Sequence, residues 1–251
     1  MAGVEGRVAL VTGAGRGIGR VTAQLLASRG AETLCVARSR DELEAVGLPY
    51  AVADLGTVEG CEQAVSAAVE RFGRIDILVC NHGIGSALER VPWEQDTALW
   101  DETMRINLDG PFHLSRLVLK GMVDRRYGRL VYTSSTAGLA AEPASCAYTA
   151  SKHGLLGLMR SVALDAGPFG ITANAVLPGW VRTDMAERSA EEEARVRGIT
   201  ADDVWAERSV LYPAGRVVTQ EEVAETIGFL AAEESSGING EALRVALGSF
   251  W

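Results

Sequence analysis

Residues 7–19 read RVALVTGAGRGIG, from Arg7 to Gly19, and this stretch decides the fold. Arg7 to Thr12 is a short apolar run that stops in a glycine-rich turn, the pattern of a buried parallel strand. Val21 to Gly30 (VTAQLLASRG) then carries a helical pattern. Strand, turn and helix make one βα unit. Its helix N-terminus offers unpaired N–H groups and the positive end of a dipole to a phosphate. The spacing Gly13-x-x-x-Gly17-x-Gly19 differs from the common dinucleotide fingerprint G-x-G-x-x-G. No Lys-Ser/Thr pair follows, which argues against a nucleotide-hydrolysing loop.

Moving outward, the second strand, Glu32 to Ala37, selects the cofactor. An NAD site wants an acid at this strand's C-terminal end, to accept from the ribose 2′-OH. The chain instead reads Ala37-Arg38-Ser39-Arg40. Arg38, together with Arg16 in the glycine turn, is expected to clamp a 2′-phosphate. Charge-assisted bonds of this kind contribute roughly 1.5–3 kcal/mol each, so NADP(H) is favoured over NAD(H). The third strand, Pro49 to Ala53, presents Asp54 and Leu55 toward an adenine amino group. The fourth, Asp76 to Cys80, runs into Asn81-His82-Gly83-Ile84-Gly85, a tight turn where backbone can approach a ligand. His82 reads as a packing or hydrogen-bonding residue.

Trp100 to Val123 reads as one long helix with Asn107 inside an apolar stretch. A buried amide must find partners, so Asn107 either ties two strands together or holds a water in a proton relay. Gly128 to Ser134 is the fifth strand and delivers Ser135. The next helix, Cys146 to Ala166, places Tyr148 and Lys152 four residues apart on one face. A free Tyr titrates near pKa ~10; a fixed ammonium beside it favours the phenolate and brings it toward working pH. Ligands of open α/β sheets bind outside the carboxyl ends of the strands, so the turns after strands one, four and five converge. The sixth strand, Ile171 to Leu177, ends in Pro178-Gly179-Trp180-Val181-Arg182-Thr183, where Thr183 could bond a nicotinamide carboxamide. Residues 185–210 turn charged and Ala-rich, the composition of a helical substrate lid or a solvated helix. Thr219 to Ala232 opens on a capping box, with Glu222 three residues after Thr219. The last strand, Glu241 to Ala246, leads to the tail Phe250-Trp251, whose aromatics are expected at a subunit interface.

Composition narrows the classes. With 251 residues, 47% of them hydrophobic, the chain can bury a full core, and no second-domain boundary interrupts residues 1–251. A net charge of −9 argues against nucleic-acid or anionic-membrane partners, which want a basic face. The four cysteines form no C-x-x-C pair and read as reduced cytosolic thiols. The scattered histidines leave no metal site. No apolar run is long enough to span a bilayer and no signal-peptide architecture opens the chain, so a cytoplasmic location is expected.

Taken in order, Thr12-Gly13-x-x-x-Gly17-Ile18-Gly19, Asp54, Asn81-x-Gly83, Asn107, Ser135, Tyr148-x-x-x-Lys152 and Pro178-Gly179 resemble the short-chain dehydrogenase/reductase family over essentially the whole chain. Among its members the chain is most similar to the 3-oxoacyl-thioester reductases. The resemblance implies a seven-stranded, doubly wound parallel sheet with helices on both faces, in a homotetramer or homodimer. It implies hydride transfer between NADP(H) and a ketone or secondary alcohol, with Asn107, Ser135, Tyr148 and Lys152 as the catalytic group. The cofactor would be held by Gly13, Arg16, Gly17, Ile18, Gly19, Arg38, Asp54, Leu55, Asn81, Gly83, Tyr148, Lys152, Pro178, Gly179, Val181 and Thr183. Ser135 rather than Ser134 follows from the family's spacing to Tyr148. His82 departs from the family's usual Asn-Ala-Gly turn. Arg129 falls where an acyl-carrier-docking arginine is found, but Phe169 stands where a second is expected. The stretch after Gly138 (LAAEPASCA) is largely apolar and suggests a moderately hydrophobic carbonyl substrate. A cyclic or steroid-like alcohol is the alternative, and a non-catalytic NADP sensor a remote one.

Overall fold

The computed structural model describes residues 3–85 and 90–249. Its centre is a seven-stranded, all-parallel sheet in the order β3-β2-β1-β4-β5-β6-β7. The strands are β1 (Val8–Thr12), β2 (Glu32–Ala37), β3 (Tyr50–Val52), β4 (Ile77–Cys80), β5 (Gly128–Thr133), β6 (Ile171–Pro178) and β7 (Ala242–Val245). β1, β4, β5 and β6 are buried along their whole lengths, as strands covered on both faces must be. Alternate side chains of β1 therefore enter two cores. Leu10 packs with residues of α3 (Val58–Phe72), α5 (Gly110–Arg125) and α6 (Cys146–Ala166). Ala9 and Val11 pack with α1 (Gly17–Ser28) and α9 (Gln220–Ala231) on the opposite face. α9 starts in the expected capping box, with both reciprocal bonds between Thr219 and Glu222 formed.

The strands match the sequence reading to within a residue or two at their ends. A short helix, α2 (Arg40–Glu44), capped by Ser39, follows β2 and has no counterpart in that reading.

Two expectations are corrected. The single helix over 100–123 is two helices, α4 (Thr97–Met104) and α5, joined through a π-helical turn at Arg105–Asp109. The segment expected as a lid or a solvated helix is a hairpin of α7 (Asp184–Arg197) and α8 (Ala201–Val210), broken at Gly198 with φ +69°. It is not a solvated helix: Ala186, Ala190 and Ala194 of α7 close on Val204 and Trp205 of α8 in a core of their own. The tail residues Phe250 and Trp251 lie outside the described residues. No helix among the described residues is long and apolar enough to cross a membrane.

Candidate active site

The carboxyl ends of the strands open into a cleft of about 1190 Å³. Gly13 and Gly17 take left-handed φ of +62° and +56°. A Cβ on Gly13 would come within 2.9 Å of the His82 Cα, and one on Gly19 would overlap the Gly13 carbonyl oxygen. Glycine is thus required for the turn to fold tightly against the turn after β4. α1 begins after Arg16 with no side-chain cap and no acid in its first turn. Its first N–H groups are left for an anion in the cleft. A dinucleotide pyrophosphate fits this cradle.

Thr12 locks the two turns together. Its hydroxyl donates to the Val79 carbonyl at 3.0 Å and accepts from Asn81 N–H at 2.9 Å. It also shares a hydrogen bond with His82 Nδ1 at 2.8 Å. The Asn81 amide donates to the carbonyls of Thr12 and Gly13, bracing the glycine turn. Burial, reinforced by the Lys152 charge, pushes the His82 imidazole down to about pKa 3, so it stays neutral.

At the adenosine end, Arg38 is exposed and makes no hydrogen bond or ion pair among the described residues, while Arg16 is engaged. Arg16 pairs with Glu42 at 3.0 Å and Asp184 at 3.6 Å. Arg38 thus stands open, whereas Arg16 is held by two carboxylates. Glu42 escapes the sequence reading because it lies on the short helix α2. Asp54, beside buried Leu55, accepts from Gly56 N–H at 3.0 Å and pairs with Arg105 at 3.7 Å across the rim.

The reacting end is built by β5 and α6. Lys152 is 4% exposed, and its ammonium donates to the Thr133 carbonyl at 2.9 Å. It lies 5.5 Å from the Tyr148 ring centroid, and burial pushes its pKa down to about 8. Ser134 and Ser135 both line the cleft, but the Ser134 hydroxyl is already committed, donating to the Lys152 carbonyl at 3.2 Å. A Cβ on Gly83 would meet Asn107 Oδ1 at 3.2 Å and Lys152 Nζ at 3.5 Å, so three elements meet there. Pro178, Gly179, Val181 and Thr183 line the opposite wall, with Thr183 also capping α7.

Two of the expected site residues stand behind the cleft wall rather than on it. Gly19 packs beneath the glycine turn. Asn107 is fully buried: Oδ1 accepts from Ile84 N–H at 2.8 Å, and Nδ2 donates to the Ile84 carbonyl at 2.8 Å and to Ser151 Oγ at 3.1 Å. Its side chain ties the turn after β4 to the π-turn and α6. Arg129 is also corrected. It is 3% exposed and donates to the Gly128 and Gly170 carbonyls, which removes it from any docking patch. The substrate end, expected to be apolar, carries Glu142, Glu193 and Arg208 beside Trp180 and Met185.

The family profile described as short chain dehydrogenase matches residues 7–194. The 3-oxoacyl-acyl-carrier-protein reductase FabG of Escherichia coli (strain K12) is 36% identical, with 98% of each chain covered. Among solved structures, levodione reductase superposes with a TM-score of 0.93 at 32% identity, covering 97% of each chain. A variant of the actinorhodin polyketide ketoreductase with NADPH gives 0.91 at 33% identity, covering 97% of this chain and 98% of its own.

Proposed function

The chain belongs to the short-chain dehydrogenase family and is an oxidoreductase acting on CH–OH and keto groups; from that premise we propose that it is an NADP(H)-dependent ketoreductase. The observation that carries the reading is Lys152, a buried ammonium fixed on the Thr133 carbonyl beside Tyr148 in the dinucleotide cleft. When bound, the dihydronicotinamide supplies the hydride. Tyr148 gives its proton to the carbonyl oxygen in reduction and takes one from the alcohol in oxidation. Lys152 stabilises the phenolate left behind and bonds the nicotinamide ribose. Ser135 donates to the reacting oxygen as charge develops on it. Asn107 acts through position, holding the Ile84 turn and the π-turn so that Lys152 stays against Gly83.

The glycine turn and the α1 N-terminus take the pyrophosphate, Asp54 and Leu55 the adenine, and Asn81, Gly83, Pro178, Gly179, Val181 and Thr183 the nicotinamide half. Ile18 flanks the pyrophosphate at the first turn of α1. Arg38 supports NADP(H), since it is an unpaired cation at the end of β2 where an NAD site wants an acid. The NADPH in the actinorhodin ketoreductase structure agrees with this choice. Residues 1–251 form one catalytic domain with the α7–α8 hairpin as its lid. Four free cysteines, three of them buried, suit a reducing cytoplasm. Exposed Phe112 and Leu164 on α5 and α6 suit burial in a homotetramer.

The test is a panel of ketones and secondary alcohols with NADPH/NADP and NADH/NAD, followed by absorbance. NADPH-linked turnover is expected, falling by about 10² or more in Tyr148→Phe, which removes the proton-transfer group. Near-normal turnover in that variant would refute the assignment of Tyr148.

A further inference from the structure

Building on the ketoreductase reading, we propose that Glu142 and Arg208 form a specificity pair that receives a hydroxyl group of the substrate, so that the substrate is a hydroxylated ketone or its polyol. Glu142 stands on the loop before α6 and Arg208 on lid helix α8, and both line the substrate end of the cleft.

Arg208 is 6% exposed, with its guanidinium 3.7 Å from the Trp180 ring centroid and 4.9 Å from that of Trp205. It donates to the Ala186 carbonyl at 3.4 Å, Ser189 Oγ at 3.3 Å and Glu193 at 2.9 Å. A guanidinium has five N–H donors, so donors remain for a ligand on a group already fixed in orientation. Preorganisation of this kind lowers the entropy lost on binding.

Glu142 is the complement. Its carboxylate is partly buried and makes no hydrogen bond or ion pair among the described residues. Burial raises its pKa, and Arg208 is near enough to offset part of that rise. Both residues line the same cleft, and no hydrogen bond or ion pair joins them among the described residues. A carboxylate that loses water on substrate entry, and gains no donor, is costly.

The charges decide what fits between them. A substrate anion would meet Glu142 and Glu193, and an ammonium, though drawn to Glu142, has no lone pair to accept from the free N–H donors of Arg208. A neutral hydroxyl satisfies both sides, donating to the carboxylate and accepting from the guanidinium. Sites built to bond a substrate hydroxyl discriminate strongly against analogues lacking it, because their polar groups are left unpaired.

The test uses the full chain with NADPH and alcohols, a combination that binds without turnover. Calorimetry compares cyclohexanol with the three positional cyclohexanediols, and 2-hexanol with the positional diols of the same chain. At least one diol is expected to bind about 10-fold more tightly than its parent alcohol. Glu142→Leu should abolish that preference, read as the ratio of diol to parent Kd within the same variant, since the parent has no group that bonds the carboxylate. Glu142→Gln, which keeps an acceptor oxygen, should retain part of it. Equal binding of every diol and its parent, or a preference that survives Glu142→Leu, overturns the proposal. The same alcohols assayed with NADP separate it from the ketoreductase reading. A diol preference without turnover leaves the pair and removes the reaction; turnover with equal kcat/KM for diol and parent does the reverse.

Discussion

At the scale of single residues, the titration of Lys152 has a direct consequence. Its ammonium, lowered to about 8 by burial, is present below that pH and is lost as pH rises through it. Reduction should therefore lose kcat/KM above about pH 8. His82, neutral down to about pH 3, contributes no limb near neutrality. Lys152→Arg keeps the charge at all accessible pH and should flatten the alkaline limb of whatever activity it retains; an unchanged limb would assign it elsewhere. Arg38→Ala should raise the KM for NADPH by about 10-fold, equivalent to one charge-assisted bond of about 1.5 kcal/mol, and leave the KM for NADH nearly unchanged. Equal effects on the two would remove the NADP assignment. Glu42→Ala, which leaves Arg16 only its longer pairing with Asp184, should lower the KM for NADPH in parallel assays. Tyr148, Lys152 and Ser135 are legible in the sequence because local spacing on one strand and one helix brings them together. Glu42, Glu142 and Arg208 are not, because their meaning comes from charges supplied by segments distant in the chain. Glu142 in particular sits in a stretch that composition alone makes apolar.

Among the elements, the α4–π–α5 segment departs most from its sequence reading. The signal that the reading passes over is Gly110-Pro111: Pro111 stands in the first turn of α5, where it lacks the N–H that would bond the turn before it. Tertiary demand acts at the same place, since Asn107 must reach both backbone groups of Ile84 and also Ser151. π-turns inside helices recur at functional sites, and this one places its amide under the β4 turn. Asn107→Asp keeps the acceptor for Ile84 N–H but sets a second oxygen against the Ile84 carbonyl. Leaving buried polar groups unpaired costs about 1–3 kcal/mol each, so thermal unfolding should shift down by about 4–10 °C. An unchanged Tm would show that the tie is dispensable. The strands, by contrast, are legible almost residue by residue, because a sheet covered on both faces requires continuous apolar runs.

Across the whole molecule, the sheet order and the crevice at its carboxyl edge follow from the βα succession, since parallel strands need crossovers and right-handed ones prevail. Assembly is the property that a single chain displays only by its surface. Leu164 is 79% exposed on α6 and Phe112 46% exposed on α5. Leu164→Lys should shift a tetramer to smaller species in light scattering, with kcat preserved if each subunit holds its own site. A monomeric parent protein would remove the interface. The α7–α8 hairpin, finally, keeps its apolar contacts largely to itself through Ala186, Ala190, Ala194, Val204 and Trp205. Changes on its cleft-facing surface are consequently insulated from the two cores of the sheet, as energetically separate sites are. The hairpin is thus a separable wall: substitutions on it can reshape what lines the cleft without being felt in the cores that hold the sheet.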